Sequence, residues 1–126
     1  MTPFKTHYVY AIRHNVTGRV YIGCSSTNSR IRAHLNNLKS GTHKNEEMQR
    51  DCNEYGFKFA AYLLEVVPYG LGATVDPHER EAFWIHYYGS DIVGRGYNSP
   101  NWYKRIDITT FPKIKDSEEM RVTPAQ

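Results

Sequence analysis

The start of the chain alternates apolar and polar positions in a way that predicts a β-hairpin. Residues 7–13 (HYVYAIR) alternate around β-forming side chains, residues 15–18 (NVTG) form a turn sequence, and residues 19–23 return to a strand pattern. Because a short turn joins the two predicted strands, Tyr10 and Tyr21 should lie on neighbouring strands.

A helical pattern follows the hairpin over residues 29–40, with a serine at its start that can cap the helix and Gly41 at its end. Its apolar residues recur at the spacing of one helix face: Ile31, Leu35 and Leu38. Arg30 and His34 lie four positions apart at the edge of this apolar stripe. Their side chains should therefore be neighbours.

The middle of the chain predicts a second helix and a third strand. The helix is expected over residues 45–55, ended by Gly56, and residues 57–67 (FKFAAYLLEVV) have the composition of a buried strand. Residues 68–75 are then expected to form a loop.

A third helix has the clearest start signal in the chain. Asp76 is a suitable cap, Pro77 suits the first helical position, and the helix should run to about residue 88, before Gly89. Beyond residue 90, irregular structure is expected, with a short strand near residues 106–111 and a mobile end over residues 116–126. The predicted order β-β-α-α-β-α indicates one α+β domain.

Composition narrows the class of protein. A chain of 126 residues with 40% hydrophobic residues suits one domain. Its two cysteines, Cys24 and Cys52, form no close pair, and no segment resembles a signal peptide or a membrane span. We therefore expect no disulfide, no membrane association and a reducing cytoplasmic setting.

The net charge of +3 conceals a strong asymmetry along the chain. Residues 1–45 contain seven Lys and Arg and no Asp or Glu, whereas the rest contains nine basic and thirteen acidic residues. Lys and Arg that contact phosphates supply most of the non-specific affinity for nucleic acids, so the first third of the chain predicts a surface that binds a polyanion. On charge alone, a solvated basic surface is the alternative.

Glu81 is the residue whose position most needs a chemical explanation. By helical spacing it falls inside an apolar arc of the third helix, formed by Phe83, Trp84, Ile85, Tyr87 and Tyr88. Burying an unpaired charge costs roughly several kcal/mol of folding free energy. The carboxylate should therefore meet a cation, a metal or strong hydrogen-bond donors. An ion pair with Arg30, a position at the rim, and a Mg²⁺ ligand all satisfy this requirement.

The remaining candidate residues are unremarkable one at a time. Arg30 and His34 could be ordinary surface residues, and Tyr10 and Tyr21 could simply pack in the sheet, since the chain has ten tyrosines. Taken with Glu81, however, they provide a base or water-positioning group, a cation and a metal ligand. These are the minimum requirements for cutting a phosphodiester bond.

An ordered set of motifs connects these residues, and the set resembles the GIY-YIG endonuclease family over residues 8–98. The matching elements are Val9-Tyr10, Tyr21-Ile22-Gly23, Arg30 with His34 as R-x-x-x-H, His43, Glu81 within EREAFWI, and Gly96-Tyr97-Asn98. Within the family, the chain is similar to the catalytic domains of phage intron-encoded and free-standing homing endonucleases. One departure is Tyr8, which replaces the first glycine of the family's motif; we expect altered packing there and retained activity.

The resemblance implies a small three-stranded antiparallel sheet flanked by helices. It also implies that Glu81 binds one divalent ion, Mg²⁺ or Mn²⁺, and that either Tyr10 or Tyr21 orients or deprotonates the attacking water. Arg30 would stabilise the transition-state charge, and His34 would assist proton transfer or contact phosphate. His43 and Asn98 would support the site.

The implied function is hydrolysis of double-stranded DNA by a metal-dependent endonuclease in a bacterial or phage-infected cell. The basic residues expected to contact DNA are Arg13, Arg19, Arg32, Lys39 and Lys44. Residues 1–98 would form the nuclease domain, and residues 99–126 a partly mobile extension in which residues 102–105 (WYKR) could contact DNA or pack on the core. We expect low sequence selectivity, because 28 residues after Asn98 are too few for a separate recognition region.

Two alternative functions stay open at this point, together with the oligomeric state and the source of specificity. The same fold could bind nucleic acid without cutting it, and a zinc site could form from His34, His43, Cys24 and Cys52, although these lack the usual close ligand pairs. Cleavage of both strands would need a homodimer or two successive events, and a partner could supply specificity.

Overall fold

An antiparallel sheet forms the centre of the molecule, with helices on both faces. The computed structural model describes residues 4–27, 29–70, 75–92, 94–98 and 120–122. In chain order, the elements are β1 (Phe4–His14), β2 (Val20–Ser25), α1 (Ser29–Ser40), α2 (Glu46–Tyr55), β3 (Phe59–Gly70), α3 (Pro77–Tyr88) and β4 (Met120–Val122). The strand order in the sheet is β2-β1-β3-β4. The predicted element order and three-stranded antiparallel core are confirmed.

The β1–β2 pairing is the predicted hairpin. Tyr10 lies opposite Gly23, and Ile12 lies opposite Tyr21. The two tyrosines are therefore on neighbouring strands, two residues apart in register. On its other side β1 pairs along its whole length with β3, with one irregularity between Val9 and Tyr10.

The structure differs from the sequence-based expectation in two segments. β3 continues to Gly70, so residues 68–70 are strand and not loop. Pro68 is tolerated there because, within the described residues, β4 pairs only with Ala61 to Leu63, and Pro68 lies at an open sheet edge. The second difference is β4 itself, which falls within residues 116–126, expected to be mobile. The strand expected near residues 106–111 lies outside the described residues.

The ends of α3 follow the capping chemistry that the sequence predicts, whereas α2 begins one residue later than expected because Asn45 caps it. The Asn45 side chain accepts a hydrogen bond from the Met48 amide at the start of α2. At the start of α3, Asp76 accepts from the His78 amide and Pro77 takes the first turn, while Gly89 ends the helix in a left-handed conformation. None of the helices in the described part of the chain is long and apolar enough to cross a membrane.

Two separate cores lie on the two faces of the sheet. α1 and α2 cover one face, where they bury a cluster that includes Tyr10, Ile12, Leu35, Leu38 and Met48. α3 covers the other face and buries a cluster that includes Val9, Ala11, Ile22, Phe83, Trp84 and Ile85. The alternation of side chains along β1 sends neighbouring residues to opposite cores.

Each core carries a polar network that the hydrophobic pattern does not reveal. The Arg80 Nε atom lies 3.0 Å from both carboxylate oxygens of Glu65, and the Trp84 indole donates to the same carboxylate at 2.9 Å. On the other face, the Tyr97 hydroxyl donates to Asp51 at 2.6 Å. These contacts tie α3 to β3 and the segment of residues 94–98 to α2, so they stabilise the elements that surround the site described next.

Candidate active site

A cavity of ≈ 650 Å³ beside β2 brings together most of the residues singled out in the sequence. Its lining includes Tyr21 from β2, Arg30 and His34 from α1, His43, Glu81 from α3, and Asn98. α1 and α3 pack on opposite faces of the sheet, and they can reach a common cavity because β2 is an edge strand. Tyr10 does not line the cavity; it is 1% exposed and contacts His34.

The position of Tyr10 depends on the absence of a side chain at Gly23. A Cβ atom built on Gly23 would lie 2.4 Å from both the Cζ and the hydroxyl oxygen of Tyr10. The phenol ring thus occupies the space that any other residue at position 23 would fill. This contact explains why the strand pairing needs a glycine opposite Tyr10.

A chain of hydrogen bonds connects the backbone of residue 45 to Tyr10 through two histidines. The Asn45 amide donates to His43 Nδ1 at 2.9 Å, so the proton of neutral His43 is on Nε2. That nitrogen lies 2.7 Å from His34 Nδ1, and the His34 Nε2 atom lies 3.0 Å from the Tyr10 hydroxyl. With both rings neutral, His43 Nε2 donates to His34 Nδ1, and His34 Nε2 donates to the Tyr10 oxygen.

Burial favours the neutral form of both His34 and His43. It lowers the pKa of His34 to about 4, with smaller contributions from the charges of His43 and Arg30. Burial also lowers the pKa of His43. The direction of the hydrogen bonds from Asn45 to Tyr10 therefore stays the same near neutral pH.

A charge on Tyr21 opposes the ionisation of Tyr10. Burial is the largest cause that raises the pKa of Tyr10, followed by the charge of Tyr21, whereas the positive charge of Arg30 lowers it. For Tyr21, burial and the charge of Glu81 raise the pKa and Arg30 again lowers it. Because ionisation of Tyr21 raises the pKa of Tyr10, the pair should lose one proton and not two.

Glu81 presents a largely buried carboxylate to the cavity. Its side chain is 13% exposed, and burial raises its pKa while nearby His78 acts in the opposite direction. The His78 Nδ1 atom lies 3.5 Å from the carboxylate. In the described part of the chain no ion pair joins Glu81 to Arg30, so the ion pair considered as one explanation for the buried carboxylate does not form.

The donor set around Glu81 suits a hard divalent ion better than zinc. Mg²⁺ commonly takes one or two protein carboxylates and keeps several waters, and this cavity offers one carboxylate and open space. Residues described by the structure contain no group of three or more His, Cys, Asp or Glu able to hold a metal. His34 Nδ1 and His43 Nε2 share a hydrogen bond, and the Cys52 thiol donates a hydrogen bond to the Leu38 carbonyl. Because these groups are engaged with each other and with the backbone, the zinc alternative has no support here.

Asn98 supports the site through the backbone of β2. Its side-chain oxygen accepts from the Ile22 amide and its amide nitrogen donates to the Ile22 carbonyl, both at 2.9 Å. Ser90 donates to the same side-chain oxygen at 2.7 Å. Asn98 thus holds the open edge of β2 beside Tyr21 and Gly23.

The five basic residues expected to contact DNA do not share one surface. Arg32 is exposed on α1, and Lys44 lines the cavity. Lys39 lies over the Phe57 ring at 4.9 Å, and Arg19 lies 3.5 Å from Asp51. Arg13 follows the side-chain alternation to the α3 face of the sheet, away from α1. The sequence could not separate these positions, because charge alone does not specify a face.

Comparisons with known proteins agree with the geometry. Residues 6–98 match the GIY-YIG catalytic domain. The chain is 33% identical over 91 residues to intron-associated endonuclease 1 of Enterobacteria phage T4. This match covers 71% of this chain and 35% of the relative. The chain therefore spans about a third of the length of that relative.

Two solved structures are also similar. Both are of the catalytic domain of the intron endonuclease I-TevI, one of them a point mutant, and each is 31% identical with a TM-score of 0.62. Each match covers 74% of this chain, with 92% of the mutant chain and 97% of the other covered.

The contact between Tyr10 and Gly23 predicts a specific coupling. Gly23→Ala should lower the free energy of unfolding by about 1–3 kcal/mol, because the new methyl group overlaps the phenol ring. In a Tyr10→Leu background the same change should cost clearly less. Urea denaturation of the parent, both single variants and the double variant measures this coupling, and purely additive effects would contradict the proposed overlap.

The lowered pKa of His34 predicts how stability depends on pH. Between the ordinary value of 6.5 and the folded value of about 4, the unfolded chain binds more protons than the folded protein at this residue. His34 therefore contributes a loss of stability as the pH falls through this range. His34→Gln should show a shallower loss between pH 6.5 and 4 in urea denaturation. Equal slopes, or an NMR titration of His34 near pH 6.5, would count against the assignment.

Proposed function

Since the chain belongs to the GIY-YIG family, we propose that it is a divalent-metal-dependent endonuclease that hydrolyses phosphodiester bonds in double-stranded DNA. The observation that carries this proposal is the shared cavity, where Tyr21, Arg30, His34 and Glu81 meet with the chain of hydrogen bonds to Tyr10 directly behind them. Elements from both faces of the sheet contribute to it. Such a convergence of a carboxylate, a guanidinium and a phenol suits phosphodiester hydrolysis.

The charges of the cavity suit a phosphate group. Arg30 lies at the wall of the cavity, is exposed, and makes no ion pair within the described residues, so its guanidinium is available to a phosphate oxygen. Planar guanidinium groups bind phosphate with two parallel hydrogen bonds. Lys44 adds a second positive charge to the same lining.

Glu81 is the residue that would hold the divalent ion. Bound there, a divalent ion supplies positive charge that offsets the negative charge developing on the phosphate. The Glu81 carboxylate is largely buried, and burial raises its pKa, so a cation in the cavity would stabilise its charged form.

Of the two phenols, we assign the role of proton acceptor to Tyr10. Its oxygen receives a hydrogen bond from His34 Nε2. Burial raises the pKa of Tyr10 and the positive charge of Arg30 opposes that rise, so a phenolate at Tyr10 would have a fixed donor and a nearby cation. In this assignment Tyr21, which lines the cavity itself, keeps its proton, because a charge on one phenol disfavours a charge on the other. Tyr21 then orients the water or the substrate.

Variants of Glu81 and Arg30 test the nuclease proposal. Glu81→Gln should stay folded, bind DNA at least as well as the parent, and lose nearly all cleavage. It should also lose Mn²⁺ binding, measured by water-proton relaxation without DNA. Arg30→Ala should cut supercoiled plasmid about 10²–10³ times more slowly, since one transition-state donor is lost.

Arg50→Ala is the charge-matched control for Arg30→Ala. It removes the same charge from an exposed position on α2 that does not line the cavity, so its cleavage rate at saturating DNA should stay near that of the parent. The nuclease proposal fails if Glu81→Gln and Arg30→Ala melt much earlier yet cut DNA normally in the folded fraction. A parent that binds plasmid but never cuts it with Mg²⁺ or Mn²⁺ would be a binding module instead.

The assignment of the phenols predicts different pH profiles for two matched variants. Tyr10→Phe should slow cleavage by about 10²–10⁴-fold and remove the rise of the rate with pH, because the proton acceptor is gone. Tyr21→Phe should slow cleavage less and keep that rise. Single-turnover rates between pH 6 and 10 distinguish the two, and the reverse pattern would assign the acceptor to Tyr21.

A further inference from the structure

A second cavity lies on the α3 face of the sheet and shares no lining residue with the candidate active site. Its volume is ≈ 370 Å³. Its lining comprises Ala11, Arg13, Thr17, Gly18, Val20, Tyr62, Tyr88, Gly94 and Arg95. It lies where α3 ends at Tyr88, next to the turn of the β1–β2 hairpin. Nothing in the proposed nuclease reaction uses it.

The charge that the described residues bring to this cavity is positive. Among them, Arg13 and Arg95 are the only charged lining residues, and both are exposed. Across the described residues neither arginine forms an ion pair, in contrast to Arg19, which lies beside Asp51. The Arg95 guanidinium is placed over Gly89, where its carbon lies 3.1 Å from the position of an added Cβ atom. Two uncompensated guanidinium groups at one concavity suit a phosphate.

The rest of the lining suits a flat apolar group. In this lining, Ala11 and Val20 are buried, and Tyr62 and Tyr88 are half-buried. Bases of single-stranded nucleic acids stack on aromatic side chains, and arginines along the groove take the phosphates. A duplex keeps its bases stacked inside, so it offers this cavity only its backbone.

We propose that this second cavity binds one unpaired nucleotide, with its base against Tyr62 and Tyr88 and its phosphate on Arg13 and Arg95. The volume is within the range of small-ligand sites and leaves room for one such unit. The same chemistry is offered by a free nucleoside monophosphate and by an unpaired nucleotide within a DNA strand. This site goes beyond the proposed nuclease function, because it lies on the other side of the sheet and its occupation needs no cleavage.

Binding without cleavage tests the proposal directly. The full chain is titrated in EDTA against a fluorescein-labelled single-stranded 12-mer, with fluorescence anisotropy as the measurement. Arg13→Gln and Arg95→Gln should each weaken binding by about tenfold, and Tyr62→Leu by about fivefold or more, the usual range for loss of one stacked base. Arg50→Gln is the charge-matched control, because Arg50 is exposed on α2 and outside this cavity.

Two further arms identify the ligand. An unlabelled nucleoside monophosphate that displaces the 12-mer indicates a site for free nucleotides; displacement by the unlabelled 12-mer alone indicates a nucleotide within a strand. Cleavage does not occur in EDTA and is not measured here, so a failed nuclease proposal would leave this binding result intact. The inference is overturned if Arg13→Gln and Arg50→Gln weaken binding equally. It is also overturned if the cavity substitutions weaken binding of a blunt duplex of the same sequence as much as binding of the single strand.

Discussion

The close packing of the Tyr10 ring against Gly23 is the constraint on which the rest of the site depends. With the ring in that position, the phenol oxygen is 3.0 Å from His34, and His34 can in turn accept from His43. A side chain at residue 23 would displace the ring and break the chain of hydrogen bonds at its functional end. The glycine therefore acts through the space that it leaves open.

The second requirement is an edge strand that is held on both sides. β2 pairs with β1 on one side, and on the other the amide of Tyr97 donates to the Val20 carbonyl while Asn98 holds both backbone groups of Ile22. This fixes the edge without covering it with another long strand. Helices from both faces can then contribute to one cavity, which is how a carboxylate from α3 meets a guanidinium from α1.

The electrostatics of the cavity are arranged around neutral histidines and the positive charges of Arg30 and Lys44. Burial opposes charge on His34, Tyr10 and Glu81 alike, so the site has a high cost for any ion that lacks a partner. Arg30 offsets that cost for the phenols, and a divalent ion would offset it for Glu81. With a divalent ion on Glu81, the cavity would carry a net positive charge, which suits the phosphate that we propose it binds.

The sequence by itself determined most of the elements, the caps of α3 and a set of candidate reactive residues, because helix periodicity, turn chemistry and motif spacing are local properties. Asp76 and Gly89 act as the pattern indicates, and most of the motif residues meet in one cavity, with Tyr10 buried behind it. Only the tertiary structure could show that Arg19 pairs with Asp51 and that Arg13 faces away from α1, since both depend on contacts between distant segments. The direction of the hydrogen bonds from Asn45 to Tyr10 was also beyond the sequence, because a backbone amide sets the tautomer of a histidine only once the fold places them together.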